Sequence, residues 1–362
     1  MMTTTTTLNL DQITTKVLSG KRLNANEGLY LLERTDPDEI TAIGKLADTV
    51  RKERVGDVVT FANSYMFYPT NLCELNCQFC SFYAKPGWKK AWFCTPEQAE
   101  QKIKALHKND LTEVHIVGGL WRECNLDYYQ DLLTRIKNID ESIHIKALTP
   151  VEYDFLAKLH NISIEQVLHK MMDWGLGSIP GGGAEILVED LRKKIAPGKI
   201  TCDEFMAVHK LAHSLGLRTN ITMLFDHVEE NKDIISHLMQ VRDLQDQTKG
   251  FKTFIPLKFG EEDNALGKRK ARLHKKHIPL VYATSRLMLD NIPNIKALWT
   301  YLGVDEAIEI LNWGANDLSS TNLEEKVIKM AGGTEAKMDK ECMNQLIRSI
   351  GRVPFLTNSE KV

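Results

Sequence analysis

The feature that most limits the fold of this chain is an alternation of short apolar runs with helical stretches, repeated eight times from residue 58 onward. The runs are Val58 to Met66, Val114 to Val117, Ile143 to Leu148, Ser178-Ile179, Thr219 to Phe225, Phe251 to Phe259, Ile295 to Trp299 and Ala307 to Trp313. Helical spacing falls between them at 95–108, 125–138, 151–174, 185–195, 201–215, 231–247, 278–290 and 303–309, the last overlapping the eighth run. Such alternation predicts an α/β fold in which a parallel sheet closes into a (β/α)₈ TIM-type barrel. An open doubly wound sheet is the structural alternative. Residues 1–55 read as an N-terminal helical extension, 56–318 as the barrel and 319–362 as a C-terminal helical extension, all one structural unit without internal repeats. Glycine-rich and cysteine-rich segments sit after the strands, on the face where barrels place their chemistry.

Composition narrows the partners. The chain is 43% hydrophobic and 26% charged with a formal net charge of −2. That balance predicts no nucleic-acid partner and no anionic membrane surface. No apolar run approaches the ~18 residues of a membrane span. Met1 to Thr7 is polar and lacks a secretion-signal pattern, so the expected location is cytoplasmic. There the seven cysteines would be reduced thiols.

Three of them crowd into one loop after the first strand, Cys73-Glu-Leu-Asn-Cys77-Gln-Phe-Cys80. Thiolates suit zinc or iron–sulfur clusters. A structural zinc site closes with four protein ligands, and this loop has no fourth, although a knuckle borrowing a distant histidine is an alternative. Three thiolates on a [4Fe–4S] cubane leave one iron free. The spacing resembles the C-x₃-C-x-Φ-C motif of the radical S-adenosylmethionine superfamily, in which the free iron chelates the amino and carboxylate groups of S-adenosylmethionine. That resemblance makes Cys73, Cys77 and Cys80 the cluster ligands and places Phe79 near the adenine. Cys94, Cys124, Cys202 and Cys342 are isolated and read as structural.

Other candidates lie near strand ends. Gly118-Gly119 would let backbone approach a ligand closely; in the superfamily this position binds the amino group of S-adenosylmethionine. Pro180-Gly-Gly-Gly183 is either a second such site or a tight turn, and Glu185 would open the next helix, where an acid suits the dipole. Arg192 and Arg286 are candidate carboxylate clamps. Among His115, His144 and His227, the last is the best catalytic candidate because it falls just past strand five. The basic run from Lys268 to His277 reads as a solvated face or a lid for an anionic substrate.

Longer stretches resemble one family, the aminofutalosine synthases of the futalosine route to menaquinone. They are Tyr68-Pro-Thr-Asn-Leu-Cys73, His115-Ile-Val-Gly-Gly-Leu120, Ser178-Ile-Pro-Gly-Gly-Gly-Ala-Glu-Ile186, Arg192-Lys-Lys-Ile-Ala-Pro197, Gly250-Phe-Lys-Thr-Phe-Ile-Pro-Leu257, Arg286-Leu-Met-Leu-Asp-Asn291 and Gly314-Ala-Asn-Asp-Leu318. Two sister families share much of this: cyclic dehypoxanthinylfutalosine synthase and the enzyme making the deazaflavin chromophore. Pro69 before Thr-Asn, and His-Ile-Val-Gly-Gly, resemble aminofutalosine synthase more than either. The resemblance implies a [4Fe–4S] cluster, S-adenosylmethionine, a flavodoxin or ferredoxin as electron donor, and a dicarboxylate aryl enol ether, 3-[(1-carboxyvinyl)oxy]benzoate, as substrate. Three departures touch the mouth: Trp121 replaces a usual histidine, Asp226 a usual glycine, and Gly260 to Ala265 lacks an expected His-Pro.

Overall fold

The computed structural model describes residues 8–108, 110–272, 276–321 and 338–358. The first apolar run divides at Asn63 into β1 (Val58–Ala62) and β2 (Ser64–Phe67). From β2 a seven-stranded parallel sheet runs in chain order through β3 (Glu113–Ile116), β4 (His144–Ala147), β5 (Leu176–Ile179), β6 (Arg218–Phe225), β7 (Phe251–Lys258) and β8 (Asn294–Ile295). A second parallel sheet has the order β10-β1-β9, with β9 spanning Asp317–Ser320 and β10 Val353–Thr357. The two sheets join into a ring. On one side β1 continues into β2; on the other, a parallel bridge between Lys296 and Asp317 ties the end of β8 to β9.

Alternate strand residues line the lumen. From β1 and β2 these are Thr60, Ala62, Ser64, Met66 and then Tyr68, so the alternation survives the break at Asn63. Their neighbours Val59, Phe61, Tyr65 and Phe67 point outward into two apolar clusters beneath the helices. Helices α4 (Pro96–His107), α5 (Leu126–Ile139), α6 (Pro150–His160), α7 (Ile164–Asp173), α8 (Glu189–Ile195), α9 (Cys202–Ser214), α10 (Asn231–Thr248) and α11 (Ile278–Met288) alternate with the strands. Thr95, Thr149, Ser163 and Thr201 each close a reciprocal capping box, satisfying amide donors that a helix start leaves free. The N-terminal helices α1 (Leu10–Leu18), α2 (Ala25–Leu32) and α3 (Pro37–Val55) share their core with α10 and α11.

Several boundaries differ from the sequence reading. Ala307 to Trp313 is not the eighth strand. Short α12 (Trp299–Leu302) is followed by α13 (Val304–Ile310), and the eighth position in the ring belongs to β9. Val304, Ala307, Ile308 and Leu311 recur at helical spacing, and that period outweighs the apolar density that suggested a strand. The single helix expected over 151–174 is two, because Asn161 turns left-handed (φ 51°) and ends α6. The helix expected from Glu185 starts at Glu189. The tail expected as helix carries α14 (Lys340–Ser349) and then strand β10; residues 322–337 and 359–362 of that call lie outside the described residues, as do 273–275 of the basic run.

Close packing of α3 gives a test with an inverted sign. A Cβ on Gly44 would lie 2.6 Å from the Trp313 ring. Glycine to alanine inside a helix ordinarily gains ~1 kcal/mol, whereas overpacking a rigid ring costs ~1–3 kcal/mol. Gly44→Ala should therefore lower the thermal midpoint, and the same change in a Trp313→Leu background should be neutral or stabilising.

Candidate active site

The cysteine loop follows β2 and is held from several directions. Thr70 and Asn71 are fully buried. Thr70 Oγ1 donates to the Trp92 carbonyl (2.6 Å), and Asn71 exchanges bonds with Lys90 and Trp92. The Lys85 ammonium donates to the carbonyls of Cys73, Glu74 and Leu75 at 2.8, 2.8 and 3.1 Å. Its charge thus stands beside the first cysteine.

The end of β3 supports the loop from the opposite side. Gly119 N donates to the Thr70 carbonyl at 2.9 Å, and a Cβ on Gly119 would lie 2.1 Å from the Leu72 carbonyl oxygen. Only glycine permits this approach. One residue later, Leu120 N donates to Cys73 Sγ at 3.4 Å. Gly118 N donates to Glu152 Oε1 (2.9 Å), so this amide is already engaged. Burial pushes the Glu152 carboxyl up to about 7, against the bonds it accepts from Gly118 and Thr149.

Burial pushes the Cys77 thiol up to about 11, and burial raises Cys80 while the Tyr83 and Phe82 amides pull it back. A ligand cation would displace these protons. The three thiols, the amides directed at Cys73 and Cys80, and the charge of Lys85 fit an anionic iron–sulfur cluster. Cys73, Cys77 and Cys80 would hold it. Zinc in a structural site needs four donors around one point, and this loop carries three thiols.

Phe79, Glu185 and Cys77 are linked by a residue that the sequence reading missed. The Lys199 ammonium pairs with Glu185 and lies 5.4 Å from the Phe79 ring centroid. Burial pushes Lys199 down, but Glu185 and Cys77 hold it above its ordinary value. Glu185 is not at a helix start: it sits in a loop with φ 51°. Gly181 and Gly182 line the upper lumen. Gly181 is also a packing glycine, since a Cβ there would lie 2.5 Å from the Ile221 backbone.

The remaining candidates stand apart from the lumen. His227 is fully buried; its Nε2 donates to the Leu224 carbonyl (3.0 Å), and burial pushes its pKa down to about 4. Asp226 beside it has φ 72°, a conformation that glycine adopts more cheaply, and its carboxylate accepts the Lys276 amide at 2.7 Å. Arg286 lies under the ring closure, donating to the Gly314 and Pro293 carbonyls and to Asn316 Oδ1 at 2.7, 3.1 and 2.7 Å. Arg192 is buried over the Phe205 ring. It donates to the Ala184 carbonyl, and two of its guanidinium nitrogens have no partner among the described residues.

The lumen itself is a cavity of about 290 Å³. Its upper half is lined by Tyr68, Val117, Thr149, Leu257 and Leu298, and its lower half by charge: Glu113, Lys146, Lys252, Lys296 and Asp317. Those five residues escaped the sequence reading. The signal was available, since Lys146 and Lys252 each interrupt an apolar strand with a group that costs free energy to bury.

Two sets of substitutions test the rim. Cys73→Ala, Cys77→Ala and Cys80→Ala should each abolish bound iron and sulfide after anaerobic reconstitution, while Cys94→Ala and Cys342→Ala keep both. Gly119→Ala leaves every thiol in place but pushes the loop off β3, so its iron content should fall well below wild type; full occupancy there would contradict the packing argument.

Comparison with known proteins supports this reading of the rim. Residues 67–240 match the family model of the radical SAM superfamily, and residues 248–361 that of the CofH/MqnC C-terminal region. The chain is 34% identical to aminodeoxyfutalosine synthase of Thermus thermophilus, covering 94% of this chain and 92% of the relative. It is 35% identical to a 5-amino-6-(D-ribitylamino)uracil–L-tyrosine 4-hydroxyphenyl transferase of Methanococcus maripaludis (94% and 96%). It is 33% identical to cyclic dehypoxanthine futalosine synthase of Halalkalibacterium halodurans (96% and 93%). The solved structure of methylornithine synthase (PylB) superposes with a TM-score of 0.75 at 17% identity, covering 95% of this chain and 97% of that one, a likeness of fold. Identities this close to one another leave three reactions in play but agree on the machinery: the chain belongs to the CofH/MqnC family of the radical SAM superfamily, whose members work with a [4Fe–4S] cluster and S-adenosylmethionine.

Proposed function

We propose that this chain is an aminofutalosine synthase of menaquinone biosynthesis. It would join the 5′-deoxyadenosyl group of S-adenosylmethionine to the vinyl carbon of 3-[(1-carboxyvinyl)oxy]benzoate, with rearrangement and loss of a carboxylate. The observation that carries this reading is His115. It belongs to the segment His115 to Leu120 that resembles this family over its sisters, and it lines the lumen. Its Nε2 has no partner among the described residues. Burial and the Lys146 charge push its pKa well down, so the imidazole is neutral and can donate or accept one hydrogen bond toward a substrate.

A cluster held by Cys73, Cys77 and Cys80 would supply the electron that opens the sulfonium of S-adenosylmethionine, with a flavodoxin or ferredoxin as its source. The chain's own residues position and shield. Gly119 lets the cysteine loop seat against β3, and Phe79 with Lys199 and Glu185 forms the wall beside Cys77. Met66, Val117, Ile255, Leu257 and Leu298 give the lumen an apolar collar. A collar of this kind excludes water and stray hydrogen donors from a reactive carbon. His115 would hold the substrate beneath it. Arg192, with two free guanidinium nitrogens, stays a candidate carboxylate partner near the rim; Arg286 and His227 are engaged elsewhere. The cytoplasm is the expected location, and among the described residues no helix is long and apolar enough to cross a membrane.

The reading is tested by the fate of the adenosyl carbons. With S-adenosylmethionine carrying carbon-13 throughout its adenosine portion, label should enter a product with the mass of aminofutalosine. One methionine should be released per product, and 5′-deoxyadenosine should be a minor leak. Formation of 5′-deoxyadenosine in step with an unlabelled product would assign the chain to a hydrogen-abstracting relative such as the cyclase.

A further inference from the structure

The segment that follows the cysteine loop turns outward. Pro86, Gly87, Trp88, Lys89 and Lys90 are five consecutive exposed residues. Trp88 is 45% exposed, and its ring centroid stands 5.6 Å from that of Tyr83. Lys85 and Lys90 flank the pair, with their ammonium groups 5.7 and 5.8 Å from the Tyr83 centroid; Lys90 also lies 5.7 Å from the Trp88 ring. An indole left in water forgoes the free energy of burying it. The turn itself does not ask for that ring: its bonds, Trp88 N to the Lys85 carbonyl and Ala91 N to the Trp88 carbonyl, are all main chain.

The patch is positive as well as aromatic. Lys85 and Lys90 donate to main-chain carbonyls, which leaves their charge in place, and Lys89 is exposed; none of the three meets a carboxylate among the described residues. Glu74 on the cysteine loop is paired with Arg122. The loop after β7, which Ser81 joins through the Glu262 carbonyl, adds exposed Glu262 and Asp263 together with exposed Lys268 and Arg269, so its signs offset each other. Short bonded steps tie the patch to the cysteines. Ala84 exchanges main-chain bonds with Asn71 and Cys73 at 2.7 and 3.1 Å. The Tyr83 and Phe82 amides reach the Cys80 thiol, and Lys90 holds the carbonyl of Ser81, next to Cys80, at 2.8 Å. An electron entering at Trp88 would have only this loop to cross before a cluster on Cys73, Cys77 and Cys80.

We propose that Trp88 and Lys89, with Lys85 and Lys90 beside them, form the docking face for a flavodoxin, an acidic carrier protein that delivers the electron to the cluster. In the step the carrier's reduced flavin loses one electron and the [4Fe–4S] cluster gains it; no bond is made or broken. Positive charge steers an acidic partner and raises its rate of encounter. Redox encounters bury little area, and an exposed indole among cations is the kind of residue that concentrates interface energy. A flavin presents a flat apolar edge, which the face of Trp88 can cover. The docking face rests on the family's cluster chemistry and on the carrier class named above, not on which of the three reactions follows.

The experiment uses the anaerobic, cluster-loaded protein, a recombinant flavodoxin and three variants: Trp88→Ala, Lys89→Glu and, as a control with the same net charge, Lys45→Glu at an exposed position of α3. Binding of oxidised flavodoxin, followed by flavin fluorescence polarisation, should weaken about tenfold or more in Trp88→Ala and Lys89→Glu and keep its wild-type affinity in Lys45→Glu. Added salt should weaken wild-type binding, and weaken that of Lys89→Glu less. Methionine release from S-adenosylmethionine, with no second substrate present, should show the same split at limiting reduced flavodoxin, whereas with dithionite all four proteins should run alike. Should Lys89→Glu lose iron, Lys89→Ala is read in the same way. Equal flavodoxin affinity in Lys89→Glu and Lys45→Glu overturns the docking face, and so does a loss of methionine release that dithionite shares. A ferredoxin that needs Trp88 and Lys89 where flavodoxin does not overturns it as well. The labelling experiment stands apart, because binding and methionine release are read before any second substrate is engaged.

Discussion

The lumen exists because the ring closes at Asn316-Asp317, and the site's electrostatics depend on that closure. Thr60 N donates to the Asn316 carbonyl (3.0 Å), Ala297 N donates to the Asp317 carbonyl (2.8 Å), and the Asn316 side chain accepts the Ile295 amide (2.9 Å). Two adjacent residues therefore stitch β8, β9 and β1 together. A gap here would open the lower lumen to water, and in water the Lys146–Glu113 pair would be worth little. Closed, the same groups interact in a medium of low dielectric, where charge selects strongly for an opposite charge.

Closure also separates two tasks along the barrel axis. The rim is built from backbone: carbonyls that gather Lys85, amides that face cysteine sulfurs, and Gly119 where even a methyl group would collide. Backbone geometry is insensitive to substrate identity, which suits a cofactor common to a whole superfamily. The lower lumen is built from side chains on strands, which can change without disturbing the ladder. Relatives of near-equal identity are named for different reactions, so a rim built for the shared cofactor does not by itself set the reaction.

How much of this was legible follows from the same division. The cysteine loop was readable because its chemistry is written in spacing alone. The parallel ring was readable because alternating periods survive without tertiary information. The eighth strand was misplaced at Ala307 to Trp313 because that run is apolar enough for a strand, even though helical spacing was also read over 303–309 and is the pattern the structure follows. The true strand, Asp317-Leu-Ser-Ser320, is so polar that it was split between the end of the barrel and the helical tail expected from Ser319. Its polarity has a cause: Asp317 and Ser319 face the lumen, and Leu318 is the apolar outward neighbour. Lumen polarity hid the strand, and it also hid the lysines of the lower lumen. A barrel interior is expected to be filled with branched aliphatic residues, so charged strand residues were passed over when they were the signal.

Arg286 shows why residue type alone misled. It was chosen because a guanidinium suits a carboxylate, and it does make forked, directional bonds, but to Gly314, Pro293 and Asn316. It lies on α11, outside the strand ring, where a side chain reaches the loops that join strands and not the lumen they enclose. Gly314, with φ 97° and an ideal Cβ position 2.7 Å from the Arg286 side chain, is shaped around it. The recurrence of Arg286 to Asn291 and Gly314 to Leu318 among the recognisable stretches therefore reflects one structural unit, a clasp that holds Asn316 for the closure. A strand residue at an inward position needs no such reach: the pleat turns every second side chain toward the axis. In a barrel, the element a residue sits on decides whether it can touch the substrate before its chemistry decides what it could do there.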